Sequence, residues 1–189
     1  QDSIEKQSNE IIHLLRYDID NGGENGDNGD NNPDSQYEIR GNVWLDGDQN
    51  GEMQDDESKI SNINVYLVNM ANGEIAKNAN DADIQATTDE NGNYVLSGIT
   101  EGSYMVVFDY DTNIYKLTAY MQDGVNSARN SKVVARTMNI NGNNKTYGVT
   151  DTINISNSSI GNINMGLIQT EIFYSSCRIY YKSNKCWRY

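Results

Sequence analysis

Twelve consecutive residues, 46–57, combine the residue types and the spacing of a calcium-binding loop. Side-chain oxygens stand at positions 1, 3, 5 and 12 of this loop, on Asp46, Asp48, Asn50 and Glu57. Gly51 at position 6 permits a sharp turn, and the backbone carbonyl of Glu52 supplies a further oxygen at position 7. Ca²⁺ takes about 6 to 8 oxygen ligands, which alternate residues of a tight loop direct inward. The spacing therefore predicts a calcium site.

The charge of this loop supports the same interpretation. Six acidic side chains fall within 46–57, and no Lys or Arg lies there to neutralise them. Without a cation these carboxylates repel one another. The alternative interpretation is an acidic, solvated turn, which is what a run of charges more commonly forms. Gly51 and Glu57 both fall in register with the calcium-loop pattern, and this favours the metal site over the turn.

The segments on either side of this loop alternate apolar and polar residues with period two, which is typical of half-buried strands. Strands are predicted over residues 37–45, 62–68, 84–88, 94–97, 103–109, 115–120, 152–156 and 162–168. Residues 122–148 are Asn-rich and less regular, so we expect a long, partly ordered excursion there, with at most a short hairpin around Asn141-Gly142. The chain is thus predicted to be all-β, an antiparallel β-sandwich, in which the metal loop connects two strands rather than two helices.

Composition divides the chain into four parts. Residues 1–17 are predicted to be the end of an upstream segment, and residues 18–36 an acidic Asn/Gly-rich linker with too few apolar side chains to offset the entropy of ordering. Residues 37–168 are predicted to form the β-sandwich domain. Residues 169–189 carry four basic residues against one acid and show no strand or helix period, so we expect them to lie outside the domain, with their reading frame to be checked by sequencing the source DNA. Both flanks are expected to be disordered.

Charge and histidine content argue against several classes of function. The formal net charge of −13 disfavours nucleic acid and anionic membrane surfaces as partners, because like charges repel. No stretch approaches the ~18 consecutive apolar residues of a membrane span. The single histidine, His13, lies outside the predicted strands, so a histidine-based catalytic or zinc arrangement cannot form among them. We therefore expect a non-catalytic module.

Other acidic or aromatic residues carry weaker signals. Residues 89–93 contain an Asn-Gly pair and are predicted to form a hairpin turn rather than a second cation site, since such a turn needs no metal. Asp109 and Asp111 are predicted to mark the end of a strand. Trp44, next to the metal loop, is predicted to be a packing residue at the edge of the sandwich rather than a platform for sugar stacking.

Two motifs, each made of short segments and standing in the right order, resemble a known family. Residues 41–51 read GNVWLDGDQNG and are followed by Asp56-Glu57 and by INVYLV at 63–68. They resemble the opening of the B repeats of serine-aspartate repeat surface proteins, the SdrD B-like domains. Two later segments, TTDENGNY at 87–94 and GITEGSY at 98–104, are similar to the second signature of that family and of the wider Cna-B, prealbumin-like group.

The resemblance implies a Greek-key sandwich of the prealbumin-like (Cna-B) type with calcium in its first loop. It implies a rigid spacer in a secreted or cell-wall-anchored adhesin of Gram-positive bacteria, whose anchoring regions lie elsewhere. The expected partners are calcium and neighbouring domains of the same surface protein. The alternative function is an adhesive module that recognises a host extracellular protein or glycan through the loops of the sandwich. A dockerin-like module is disfavoured, because it would need a duplicated loop and flanking helices.

Overall fold

The computed structural model describes residues 36–170 and, beyond them, the backbone of three short strands. The predicted upstream segment, residues 1–17, and the predicted linker as far as residue 35 lie outside the described residues. Within the described part of the chain, no helix is long and apolar enough to cross a membrane.

Two sheets form the body of the described domain. Its strands are β1 (Tyr37–Leu45), β2 (Asn64–Asn69), β3 (Gln85–Thr87), β4 (Asn93–Ile99), β5 (Gly102–Asp109), β6 (Tyr115–Leu117), β7 (Val133–Ile140), β8 (Asn143–Thr150), β9 (Ile153–Ile155) and β10 (Met165–Gln169). One sheet has the order β4-β1-β10-β6, and the other has the order β3-β2-β5-β8-β7 with β9 paired to β5. Neighbouring strands are antiparallel except β1 and β10, which run parallel with Val43 opposite Met165. The chain crosses repeatedly between the sheets, and the predicted all-β, Greek-key β-sandwich is confirmed.

The core lies between the two sheets because alternate residues of each strand point inward. Ile39 and Val43 of β1 are fully buried and belong to one apolar cluster with Phe108 of the opposite sheet and Met165 of β10. Tyr94 packs edge-to-face on Phe108, with ring centroids 5.4 Å apart. Burying an apolar side chain of this size stabilises the fold by about 1.5–3 kcal/mol. This packing fixes β1 and therefore the position of the loop that follows it.

The prediction of an irregular excursion over 122–148 is wrong in its second half. β7 and β8 pair without interruption over eight residue pairs. Their connection is the predicted Asn141-Gly142 turn, in which both residues have positive φ, 50° and 83°, as a type I′ hairpin turn requires. The middle of β7 is exposed. The strand therefore carries no apolar alternation from which it could be predicted.

Residues 169–189, which show no strand or helix period in the sequence, nevertheless contain strands. β10 continues to Gln169, and β11 (Ile172–Tyr174), β12 (Cys177–Tyr180) and β13 (Lys185–Trp187) pair with one another as an antiparallel three-stranded sheet. Strands of three or four residues are too short for a period of two to show in the sequence. The Thr170 N–H donates to the Ile114 carbonyl at 2.7 Å, so backbone contacts of the sandwich pass the predicted domain boundary at residue 168.

Candidate metal centre

The metal loop, residues 46–57, begins where β1 ends and returns alongside it. The Asp46 N–H donates to the Leu167 carbonyl of β10, and the Leu45 N–H donates to the Ser58 carbonyl, both at 2.8 Å. Trp44 and Lys59 form an antiparallel bridge. Both ends of the loop are thus fixed to the four-stranded sheet. The loop lies between strands, as the sequence predicts.

Three of the predicted ligands converge in space. Carboxylate oxygens of Asp46, Asp48 and Glu57, one from each residue, all lie within 4.8 Å of one another. Asp46 is only 1% exposed, whereas Asp48 is exposed and Glu57 half-buried. Carboxylates at this separation repel one another, most strongly where water is excluded. Carboxylate oxygens are also the ligands that hard divalent cations prefer, so this set of donors could hold a metal ion.

Asp46 organises the turn inside the loop. Its Oδ1 accepts the Asn50 N–H at 3.2 Å, and its Oδ2 accepts the Gly51 N–H at 3.0 Å. Gly51 has φ of 79°, and a Cβ at this position would lie 3.0 Å from the Cβ of Gln122. The positive φ favours glycine here, and a Cβ would in addition crowd Gln122. A carboxylate oxygen has two lone pairs, so Oδ1 keeps capacity for a cation, whereas Oδ2 also accepts the Thr118 hydroxyl.

Glu57 closes the loop from its other end. Its Oε1 accepts the Gly47 N–H at 2.9 Å, and its Oε2 accepts the Gln54 N–H at 3.0 Å. The Gln54 side chain in turn donates to Asp48 Oδ2 at 3.3 Å. One carboxylate thus connects the beginning and the end of the metal loop, and the network holds Asp48 beside them.

The two other predicted ligands lie next to this cluster. Asn50 donates from Nδ2 to Asp48 Oδ2 at 2.9 Å, while its Oδ1 accepts the Glu52 N–H at 2.7 Å. Glu52 also forms an isolated antiparallel bridge with Asn130. These contacts place both residues in the same turn but do not test their roles as ligands, which stay predictions.

The sequence analysis missed two basic side chains that the fold brings to the loop. Arg129 donates from Nη2 to Asp55 Oδ1 and from Nη1 to the Met53 carbonyl, both at 2.9 Å. Lys59 Nζ lies 3.5 Å from the Gln54 carbonyl, and burial lowers the pKa of this lysine although nearby acids oppose the shift. No local signal marks Arg129, because it stands 74 residues from Asp55 in the chain.

Trp44 is fully buried, so it is a packing residue as predicted and offers no free ring face to a sugar. Its indole passes over Gly166 of β10, where a Cβ would lie 2.6 Å from Trp44 Cζ2 and would also clash with Thr118 Cγ2. Thr118 follows β6 directly, and its hydroxyl donates to Asp46 Oδ2. The indole and the metal loop are therefore connected through one short chain of contacts.

The weaker acidic stretches have structural roles. Asp89 Oδ1 accepts the N–H groups of Asn91 and Asn93 at 2.9 and 2.8 Å, which makes residues 89–93 a turn held by its own side chain. Asp109 ends β5 and forms an ion pair with Lys145. Among residues that the structure describes, Asp46, Asp48 and Glu57 form the one group of three acids close enough to share an ion.

Comparison with known proteins gives a consistent set of similarities. A family model described as SdrD B-like domain matches residues 37–157, which is more than half of the chain. The chain is 34% identical over 83 residues to a "Fibrinogen-binding protein" of Staphylococcus epidermidis. It is 32% identical over 89 residues to "Serine-aspartate repeat-containing protein I" of Staphylococcus saprophyticus. These alignments cover 44% and 47% of this chain but only 7% and 4% of the two relatives.

Two solved pilin structures are also similar. One is a minor pilin of Streptococcus agalactiae, with a TM-score of 0.39, 10% identity, and coverage of 76% of this chain and 49% of that chain. The other is the major pilin subunit of Bacillus cereus, with a TM-score of 0.37, 17% identity, and coverage of 72% and 31%.

Proposed function

The chain belongs to the SdrD B-like domain family, and on this premise we propose that residues 37–168 form a calcium-binding, non-catalytic spacer module of a secreted or cell-surface adhesin-like protein of Gram-positive bacteria. The observation that carries the proposal is the approach of Asp46, Asp48 and Glu57 to within 4.8 Å of one another. Asn50 and the Glu52 carbonyl complete the proposed ligand set. The proposed partners are calcium and the neighbouring domains of the same surface protein.

Calcium suits this set of donors better than magnesium does. Mg²⁺ requires near-ideal octahedral geometry and keeps several of its waters, whereas Ca²⁺ accepts about 6 to 8 oxygens in flexible geometry. A twelve-residue loop with acids at both ends supplies such a set from one stretch of chain. Asp46 is only 1% exposed, so water hydrates its carboxylate poorly. A bound cation compensates for this lost hydration.

Calcium at this position stiffens the module because it joins the end of β1 to the segment that returns beside it. A ligand that binds only the folded state stabilises it by RT ln(1 + [L]/Kd), or about 2.7 kcal/mol at a hundredfold excess over Kd. Extracellular calcium-binding modules work with dissociation constants of roughly 10⁻⁴ to 10⁻³ M. At about millimolar calcium, the same relation gives a spacer with such a site about 0.4 to 1.4 kcal/mol of stability.

Thermal melting in calcium and in chelator tests the proposal. We expect calcium to raise the Tm of the wild-type chain by several degrees, and Glu57→Gln to lose most of this rise. Glu90→Gln makes the same change at an exposed acid in a different turn and should keep the full response. A wild-type Tm that is indifferent to calcium sinks the proposal of a structural metal.

The second candidate is an adhesive module that binds a host protein or glycan through the sandwich loops. What favours it is the similarity to a relative named "Fibrinogen-binding protein", although the alignment covers 7% of that protein. Solution binding of the isolated chain to fibrinogen and to a glycan panel, with and without calcium, separates the two functions. A pure spacer binds none of them.

A further inference from the structure

The β6–β7 loop, which we define as residues 118–132, is hydrogen-bonded to the metal loop through both backbone and side chain. The Met53 N–H donates to the Arg129 carbonyl at 2.9 Å. The Arg129 guanidinium donates back to the Met53 carbonyl and to Asp55 Oδ1, again at 2.9 Å. Next to this pair, Glu52 bridges Asn130. Arg129 thus makes three hydrogen bonds with the metal loop, two with the backbone of Met53 and one with the side chain of Asp55.

The β6–β7 loop depends on hydrogen bonds for its own order. Asn130 is 2% exposed; its Oδ1 accepts the Gln122 N–H at 2.8 Å, and its Nδ2 donates to the Gln122 carbonyl at 2.9 Å. Residues 121–124 are all exposed, and Met121 has φ of 44°, a conformation that a bulky side chain rarely adopts. Residues 121–124, where little apolar surface is buried, therefore open at low cost in free energy.

We propose that Arg129 is a positioning residue of the metal centre and that calcium binding orders the β6–β7 loop through it. This inference rests on the proposed function. Bound calcium holds the metal loop in one geometry. This fixes the Met53 carbonyl and the Asp55 carboxylate, to which the Arg129 guanidinium donates its hydrogen bonds. Because coupling between binding and order is reciprocal, an ordered β6–β7 loop also favours the calcium-bound state.

The coupling has a consequence at the surface. Tyr120 and Met121 lie at the start of the β6–β7 loop and are 43% and 40% exposed, which is unusual for side chains of this size within the described domain. The Tyr120 hydroxyl donates to Asp151 Oδ2 at 2.5 Å and so holds that side chain independently, whereas ordering of the loop by calcium fixes the position of Met121. Calcium binding at the metal loop then changes the order of an exposed surface that the β6–β7 loop forms.

Hydrogen–deuterium exchange of the whole chain, at saturating calcium and in chelator, tests this coupling. In the wild-type chain we expect calcium to slow amide exchange roughly tenfold in the metal loop, 46–57, and in residues 119–131 of the β6–β7 loop. In Arg129→Met, calcium should still slow exchange in 46–57 but no longer in 119–131. Arg136→Met is the matched control, because Arg136 lies on β7 and approaches Asp151 only to 3.8 Å. It should respond as the wild type does.

The possible results separate the coupling from the proposed function. If calcium protects 46–57 of the wild-type chain and leaves 119–131 unchanged, the coupling is overturned while the calcium site stands. A wild-type response in Arg129→Met also overturns it. If calcium changes exchange nowhere, both the site and the coupling fail. Should Arg129→Met not fold, Asp55→Ala removes the exposed acceptor of the guanidinium and should weaken the response of 119–131; an undiminished response overturns the coupling.

Discussion

The Thr118 hydroxyl donates a hydrogen bond to Asp46 Oδ2, so a residue just after β6 supports the first residue of the metal loop across 72 positions of sequence. Both residues are buried, at 6% and 1% exposure. A buried carboxylate is tolerated only when donors or a cation compensate for its lost hydration. This bond therefore stabilises the metal loop before any ion is bound.

Thr118→Val tests this support, because it keeps the side-chain volume and removes the donor. In chelator, we expect the free energy of unfolding to fall by about 1–3 kcal/mol, since Asp46 loses a partner where water cannot replace it. Urea denaturation measures the loss. Thr137→Val, at an exposed position of β7, is the control and should change stability by less than about 0.5 kcal/mol. Equal losses in the two variants contradict the interpretation.

Gly166→Ala tests the packing of Trp44. A Cβ at this position would stand 2.6 Å from the indole, which is fully buried and has no room to withdraw. Overpacking of this kind costs about 1–3 kcal/mol. Urea denaturation of Gly166→Ala and of Gly161→Ala, where nothing lies within 4 Å, measures the difference. An equally stable pair shows that the ring moves aside without cost.

Gly142→Ala separates backbone strain from packing. Gly142 has φ of 83°, and no atom lies within 4 Å of a Cβ built there, so the cost is conformational alone. We expect a loss of roughly 1–2 kcal/mol, together with faster amide exchange in β7 and β8. Gly161→Ala again serves as the control, since Gly161 has no positive φ. Unchanged stability and exchange mean that the hairpin does not need its type I′ turn.

We expect Tyr94→Phe to change how the free energy of unfolding depends on pH. Burial raises the pKa of Tyr94 well above its ordinary value of 10.0, and its hydroxyl donates to the Ile163 carbonyl at 2.7 Å. Above about pH 10 the unfolded chain releases this proton while the folded chain retains it, so the unfolded state binds fewer protons and stability falls as pH rises. The stabilisation that comes from the raised pKa of Tyr94 is fully present below about pH 10. It is lost as the pH rises from there to the pKa of Tyr94 in the folded chain.

The variant lacks this ionisation. At pH 8, Tyr94→Phe should be less stable than the wild type by about 1–3 kcal/mol, because a buried carbonyl loses its donor. Above pH 10 the gap should narrow by up to about 1.4 kcal/mol per pH unit. Urea denaturation of both proteins at pH 8 and near pH 11 measures it. Ionisation of the other tyrosines affects the free energy of unfolding equally in both proteins, so it cancels when the two values are subtracted. A gap that stays constant with pH contradicts the assignment.

Local patterns predicted much of the fold. β1 spans 37–45 as predicted, because its apolar residues alternate and one face is buried. The Asn141-Gly142 turn was also predictable, since an Asn-Gly pair readily adopts two successive positive φ values. The length of the β7–β8 hairpin was not, because an exposed ribbon is stabilised by backbone pairing that leaves no apolar period in the sequence.

The sequence by itself determined the proposed ligand set and the family, since both depend on residue types at fixed spacing within short segments. Only the tertiary structure decided what surrounds that loop. Thr118, Arg129 and Gly166 reach it because β10 and β6 pair beside β1 in one sheet, which brings residues distant in the chain to the end of β1. Pairing between strands that are far apart in the chain is made by backbone groups, which every residue carries, so it leaves no pattern in the residue types around the individual residues it brings together.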